Sequence, residues 1–358
     1  VIYVAEWLLS IIVAASAFRS SRAANRYITV GFLFLLGLTI VIRNSGNDTS
    51  GVYEPIANVL LWRGSLTGYL AGMEPGFTFL LMILSKIAAS PVGGVRLLGL
   101  VFVAILLVFI WRADRTEALF FFSYYIPSFF FQHGMNTIRF GMAAAFLLLA
   151  WQRLRRNRKF SFLVISTLSV FFHYSSLVCI LLIVLLEWRL GLKSAFLAAV
   201  FVVIIGYIAY IQSEYFLEKY VLYGYMKGFS RYSGLSRAFL VSLFLFPFCF
   251  SKIPKIQKFP TVLILCSSLV CFQIMAAYSY AGIRLVEIVS FAAPLLIIRA
   301  YDRSGLSIDN GFKYALLLSG MIASAFLYRN FWMDMNGRLT GTQTPFLPYR
   351  TLWGLEIR

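Results

Sequence analysis

The chain has 358 residues, 60% hydrophobic and 17% aromatic but only 13% charged, with a mean hydropathy of +0.82. A water-soluble domain cannot hide that much apolar surface, so the composition excludes a soluble enzyme and predicts an all-α, polytopic transmembrane protein. On such a chain the net charge of +18 reads as basic cytoplasmic loops rather than as a footprint for nucleic acid.

Each crossing needs roughly 20 residues in a helix, which satisfies its own backbone hydrogen bonds where lipid cannot. Apolar runs fall at 1–17, 27–42, 75–90, 97–111, 117–132, 139–152, 160–173, 175–187, 194–211, 237–251, 260–277, 283–298 and 313–328. No basic n-region precedes the first, so it does not read as a cleaved signal peptide. The connectors "RSSRAANR", "RLRRNRK", "EWRLGLK", "SKIPKIQK" and "RAYDRSG" are expected in the cytoplasm. Five runs separate the first two of these connectors, and an odd number of crossings cannot join two loops on one side. The run 75–90 is short, contains Lys86 and lies between Gly76 and "SPVGG"; we expect it to be re-entrant or interfacial. A missed crossing within 53–70 is the weaker repair, because Glu54, Pro55 and Arg63 interrupt it. The expected architecture is one integral membrane domain over 1–358, with about 12 spanning helices plus that segment. External loops cover 43–74 and 211–236, and an external tail covers 329–358.

The four cysteines, Cys179, Cys249, Cys266 and Cys271, all fall in apolar runs without a CxxC or companion histidines. They read as packing residues rather than disulfides or ligands.

Many of the basic residues land on the external side, against the usual bias. Two are hard to dismiss as loop residues: Arg139 and Arg284 each sit at the external mouth of a helix, where an arginine is costly and tends to be functional. Interface snorkelling is the competing explanation. Both histidines, His133 and His173, map to the same side. Loop 43–74 adds Arg43, Asp48, Tyr53, Glu54, Trp62, Tyr69 and Glu74, and in "YSYAGIRLVE" Tyr280, Arg284 and Glu287 can share a helical face.

Clustered guanidiniums suit a phosphate or pyrophosphate, and a histidine or carboxylate beside them can take a proton from a hydroxyl. Tryptophan and tyrosine faces suit sugar rings. A lipid-linked sugar pyrophosphate would use all three. Simpler roles compete for each residue: belt anchors for Trp62 and Tyr69, an Asx turn for Asp48, a helix cap for Glu74. The sequence carries no Gly-rich phosphate loop, DxD pair or metal-spaced His/Cys set, which argues against a nucleotide-sugar enzyme and a tight metal site.

The segments "YEPIAN", "EPGFTFLLMIL", "NTIRFGMAAAFLLLAWQRLRRNRKFSFLVISTLSVFFHYSSL" and "FLPYR" resemble the EpsG family, within the wider Wzy group of O-antigen and exopolysaccharide polymerases. The distinctive part is an arginine-led helix, a basic turn and a helix ending in Phe-His-x-Ser; the family's frequent Arg-Gln is here Arg139 followed by Phe140. The resemblance implies a bacterial inner-membrane polymerase working at the periplasmic face without a cofactor. It would move a growing glycan from undecaprenyl pyrophosphate to the non-reducing end of another lipid-linked repeat unit. A Wzz-type chain-length regulator and a Wzx-type flippase are the implied companions. On this basis Arg139 and Arg284, with Arg43, are expected to hold the pyrophosphate, and His173, Glu74 or Asp48 to act as the base. Tyr53, Trp62, Tyr69 and Tyr280 are expected to bind glycan. A flippase for lipid-linked oligosaccharide and an O-antigen ligase remain as alternatives, the ligase because it uses almost the same chemistry.

Overall fold

Each expected apolar run that falls on described residues forms a helix in the computed structural model, which describes residues 2–16, 22–63, 73–187, 232–335 and 344–357 with isolated positions between 203 and 221. The run at 194–211, most of external loop 211–236 and Tyr69 lie outside the described residues. In chain order the helices are α1 (Ile2–Ser16), α2 (Arg22–Val41), a π-helical turn (Thr49–Tyr53), α3 (Glu54–Arg63), α4 (Pro75–Ala88) and α5 (Pro91–Trp111). They continue with α6 (Arg115–Phe120), a π-helix (Phe121–Phe130), α7 (Phe131–Met135), α8 (Ile138–Arg155), α9 (Lys159–Phe172) and α10 (Ser176–Glu187). The last are α11 (Leu235–Cys249), α12 (Lys255–Ala276), α13 (Tyr280–Arg303) and α14 (Asn310–Met335).

Local chemistry sets several of these boundaries. Pro75 and Pro91 each open a helix, where a missing N–H costs nothing. Ser90 caps α5 by accepting from the Gly93 amide at 3.2 Å. Asp114 and Glu117 form a reciprocal capping box at the start of α6, at 2.8 and 2.9 Å. Between α8 and α9 the basic turn reverses the chain at Asn157, with φ of 58°, a conformation that asparagine tolerates. α8 and α9 therefore pack as an antiparallel hairpin.

The chain divides into two compact units. The first comprises 1–70, 74–173 and 316–358. Its centre is the run from Arg115 to Met135: every residue from Phe121 to Phe130 is buried, so the aromatic-rich "FFSYYIPSFF" is core rather than a surface belt. Pro127 breaks the ordinary α-helical bonding there, and the wider π turn accommodates the break. α1 packs on this segment, while α2 and α8 pack on α5. Leu8, Ile12, Phe34 and Leu35 point outward and are more than half exposed, an apolar surface suited to lipid and not to water.

The second unit comprises 71–73 and 174–315, and α13 packs there against α10, α11 and α12. The Arg299 fork engages both carboxylate oxygens of Glu187, with Nη2 to Oε2 at 3.0 Å.

Among the described residues, four helices are long and apolar enough to cross a membrane: Pro91–Trp111, Lys255–Ala276, Tyr280–Arg303 and Asn310–Met335. Six further apolar helices have between 10 and 17 residues. The expected dozen spans is thus not reached on helix length alone. α4, at 14 residues, rises about 21 Å, short of a hydrocarbon layer of roughly 30 Å. Among the described residues a small ribbon accompanies the helices, β1 (Tyr349–Arg350) with β2 (Glu356–Ile357). Cys179 is buried as expected of a packing residue, but Cys249, Cys266 and Cys271 are exposed; all four are free.

The tail is pinned to the loop after α2. Asn44 N donates to Arg350 O at 2.6 Å, Leu352 N to Ile42 O at 2.9 Å and Gly46 N to Thr344 O at 2.9 Å. Arg43 and Thr351 form an isolated bridge.

Candidate functional site

The α8–α9 hairpin explains why Arg139 and His173 meet. The first lies in the opening turn of α8, the second at the C-cap of α9, and an antiparallel hairpin returns these two ends to one place. A third residue joins them from α4. Glu74 is the N-cap of that helix but makes no side-chain cap bond, leaving its carboxylate for tertiary partners.

Both oxygens of Glu74 are used. Arg139 Nη1 donates to Oε2 at 2.8 Å, and His173 Nδ1 lies 2.5 Å from Oε1. The Glu74 side chain is wholly buried, while those of Arg139 and His173 remain 16% and 23% exposed. Because a carboxylate only accepts, the proton in the imidazole contact sits on Nδ1; in the neutral ring Nε2 then carries the lone pair. Burial pushes the Glu74 carboxyl upward, but the electrostatic and hydrogen-bond contacts with His173 and then Arg139 outweigh it and hold the group well below the usual carboxylate range.

The surroundings are aromatic. Arg139 lies over the Phe77 ring at 5.9 Å, and His173 meets the Phe140 ring edge-on at 5.6 Å. Tyr53 packs against Phe77 at 5.6 Å and hydrogen-bonds Arg139. Burial, and next the charge of Asp48, raise its phenol well above the usual value. It therefore acts as a neutral hydrogen-bonding group.

The other expected residues distribute as follows. Asp48 is half-buried, and its amide donates to Asn136 Oδ1 at 3.0 Å. Its charge reaches Tyr53, which places it at the edge of this cluster. Tyr53 is 2% exposed, so it offers no open face to a sugar ring. Trp62 is exposed near the end of α3. Arg43 is buried rather than displayed at the surface, and its Nη1 donates to the Ile40 carbonyl. Arg284 and Tyr280 belong to the second unit, where they share a face as expected. Arg284 lies over the Tyr280 ring at 5.1 Å and donates to Glu287 Oε2 at 3.1 Å.

The arginines anticipated as phosphate clamps at helix mouths thus face carboxylates, Arg139 with Glu74 and Arg284 with Glu287. A similar pair escaped the sequence-based site: Arg96 with Glu54 at 3.1 Å. Its signal was an arginine directly before the apolar run 97–111, two residues after "SPVGG". His133 is fully buried against Phe129 and Phe140, 3.3 Å from the Tyr125 hydroxyl, a packing role. Among the described residues no group of three or more His, Cys, Asp or Glu side chains is placed to hold a metal ion.

A sequence model of the EpsG family matches residues 25–351. No curated protein and no solved structure matches the chain. With nearly its whole length covered, the chain belongs to the EpsG family, a family linked to exopolysaccharide biosynthesis.

Proposed function

We propose that this EpsG-family chain is a multi-pass membrane glycan polymerase that uses a lipid-pyrophosphate donor and works at the periplasmic face of a bacterial inner membrane. The observation that carries this is the single carboxylate of Glu74 holding both His173 and Arg139. A base and a permanent cation are fixed side by side at one end of a helix hairpin.

His173 Nε2 takes the proton from the acceptor sugar hydroxyl as its oxygen attacks the anomeric carbon of the donor glycan. The bond from that carbon to the pyrophosphate oxygen breaks, and the lipid pyrophosphate leaves with the electron pair. Glu74 fixes the tautomer through Nδ1 and stabilises the imidazolium that forms. Arg139 offsets charge growing on the leaving oxygen, and Tyr53 hydrogen-bonds Arg139 and so helps position it. Glu74 itself is a poor base, since the Arg139 guanidinium and the His173 N–H already occupy both of its oxygens. Asp48, Trp62 and Tyr69 are assigned to acceptor contacts on the same external loop.

The test is a surface-glycan ladder in cells expressing His173→Ala, Glu74→Gln or Arg139→Ala at normal membrane levels. A polymerase defect leaves one repeat unit on the lipid core. A ligase defect leaves none, and a flippase defect leaves no periplasmic lipid-linked sugar. Normal ladders in all three variants reject the assignment.

A further inference from the structure

The end of α8 opposite to the Glu74 cluster carries a different chemistry. Arg26 on α2, Arg112 and Arg115 at the turn between α5 and α6, and Arg153, Arg155, Arg156, Arg158 and Lys159 around the α8–α9 turn all belong to the first unit. Asp114 and Glu117 lie among them, and Arg155 binds both, at 2.7 and 2.9 Å. Arg112, Arg156 and Arg158 lie close enough to Arg153 to repel its charge. This end of the unit is therefore strongly positive, and its two acids are already engaged.

Between the start of α2 and the α5–α6 turn lies an open cleft lined by Arg26, Thr29, Ala113, Asp114 and Arg115. Its floor has room for about one water-sized group, which is the size of a single phosphoryl oxygen. Beside it the Arg26 guanidinium lies over the Trp111 ring at 5.4 Å, and the Tyr27 ring meets Trp111 edge-on at 6.1 Å. Both rings are exposed, as tryptophan and tyrosine are where a helix end reaches the lipid headgroups. Helical spacing places Phe34 and Leu38 on the face of α2 that carries Tyr27, and Val108 and Leu100 on the face of α5 that carries Trp111. All four are exposed. The Tyr27–Trp111 contact joins these two apolar stripes, so a hydrocarbon surface runs from the cationic cleft along both helices.

We propose that this cleft binds one anionic phospholipid, with its headgroup phosphate held between Arg26 and Arg115 and its acyl chains lying along α2 and α5. Two independent features point to the same occupant. A soluble anion has no use for the apolar stripes, and a zwitterionic lipid gains little from the surplus of positive charge. The guanidinium fork donates paired hydrogen bonds to phosphate oxygens, while the Trp111 ring beneath Arg26 keeps that fork oriented. The basic connectors at this end are those expected in the cytoplasm, so the ligand would come from the leaflet away from the proposed transfer site. The lipid site does not rest on the polymerase function.

The experiment uses the full chain in detergent at physiological salt, titrated with phosphatidylglycerol carrying brominated acyl chains and read by quenching of tryptophan fluorescence. Wild type should be quenched saturably, and Trp111→Phe should lose most of that quenching. Brominated phosphatidylcholine should need a concentration about tenfold higher, and Arg26→Gln and Arg115→Gln should each weaken apparent affinity by about tenfold, the loss of a charge-assisted hydrogen bond. Arg158→Gln, on the exposed α8–α9 turn, should change it by less than about twofold, because distant charges are screened. Arg26→Lys keeps the charge without the fork and should also bind more weakly, so it serves where the glutamine variants do not fold. Equal quenching by phosphatidylcholine would reduce the cleft to an apolar surface and overturn the proposal. Equal losses in Arg158→Gln and Arg26→Gln would overturn it as well, since they mean diffuse attraction to the whole positive end. Displacement of the lipid by inorganic phosphate, at matched ionic strength, would overturn it in favour of a free-anion site. His173→Ala should lose glycan transfer and keep lipid binding, so this proposal and the polymerase function fail separately.

Discussion

The Glu74 carboxylate and the His173 imidazole meet at 2.5 Å although 99 positions separate them in the chain. This contact gives the histidine a fixed tautomer and an anion beside the charge it acquires on taking a proton. His173→Ala should lower glycan transfer by about 10²–10⁴-fold, the usual contribution of a positioned base, with little loss of folded protein. The measurement is transfer to a defined lipid-linked acceptor alongside the Tm of the same preparation. A variant that loses Tm and transfer in proportion would reduce His173 to a packing role.

Glu74→Gln should act on both stability and chemistry. It leaves Arg139 largely buried without its counter-ion, a change worth about 3–5 kcal/mol where one partner of a buried pair is removed. The pH dependence follows from the direction of the Glu74 shift. Its folded pKa is depressed below the ordinary carboxyl value of 4.5, so its contribution is present above that value and fades as pH falls through the lower folded value. The Tm gap between wild type and Glu74→Gln should be constant near neutrality and narrow below about pH 4.5. A gap that widens on acidification would contradict the ion pair.

At the opposite end of α8, Arg155 binds Asp114 at 2.7 Å and Glu117 at 2.9 Å, with Glu117 also accepting from Gln152 at 2.8 Å. Glu117 is 1% exposed. Arg155→Ala should therefore destabilise by about 3–5 kcal/mol, whereas Arg156→Ala, on the exposed side of the same turn, should stay within about 0.5 kcal/mol. Parallel thermal melts in one detergent decide this. Equal effects would show the network to be a surface feature.

The Arg299–Glu187 fork in the second unit invites a double-mutant cycle. Truncating either partner alone strands a buried charge, while Arg299→Met with Glu187→Leu removes both. The double variant should recover at least about 1 kcal/mol relative to the sum of the singles. Simple additivity would mean that the pair is well hydrated.

Much of this was legible in the sequence, for reasons that can be named. Helix existence followed from apolar runs, and the convergence of Arg139 with His173 followed from two runs joined by "RLRRNRK". Glu74 stood out as a carboxylate before a proline that starts a helix. What sequence could not show was pairing. Nothing in "EPGF" or "NTIRF" reveals that Arg139 would be met by Glu74, since the partners lie 65 residues apart. An arginine at a helix mouth looks the same whether it awaits a phosphate or already holds a carboxylate. Burial was equally hidden: Tyr53 and Arg43 sit in a polar loop yet are 2% and 0% exposed, because the distant tail and α4 pack over them. Helix length misled for a simpler reason. Hydropathy counts apolar residues, and several runs that look like crossings end after fewer than 18 residues of helix.

Gly76 offers the most local test of the site geometry. It lies two residues after Glu74 on α4, and Phe171 lies two residues before His173 on α9. A Cβ at Gly76 would stand 2.8 Å from the Phe171 carbonyl oxygen and 2.9 Å from its Cβ, closer than packed atoms sit. Backbone cannot yield as a flexible side-chain tip can, so Gly76→Ala must push α4 and α9 apart. Overpacking of this kind costs about 1–3 kcal/mol, and a displacement near 1 Å at a reacting group costs about 10²-fold in rate. Gly51→Ala is the matched control, since a Cβ there meets nothing within 4 Å. Gly76→Ala should thus lose transfer far beyond its change in Tm, and Gly51→Ala should lose neither. Full activity in a folded Gly76→Ala protein would mean that Glu74 and His173 need not touch during catalysis.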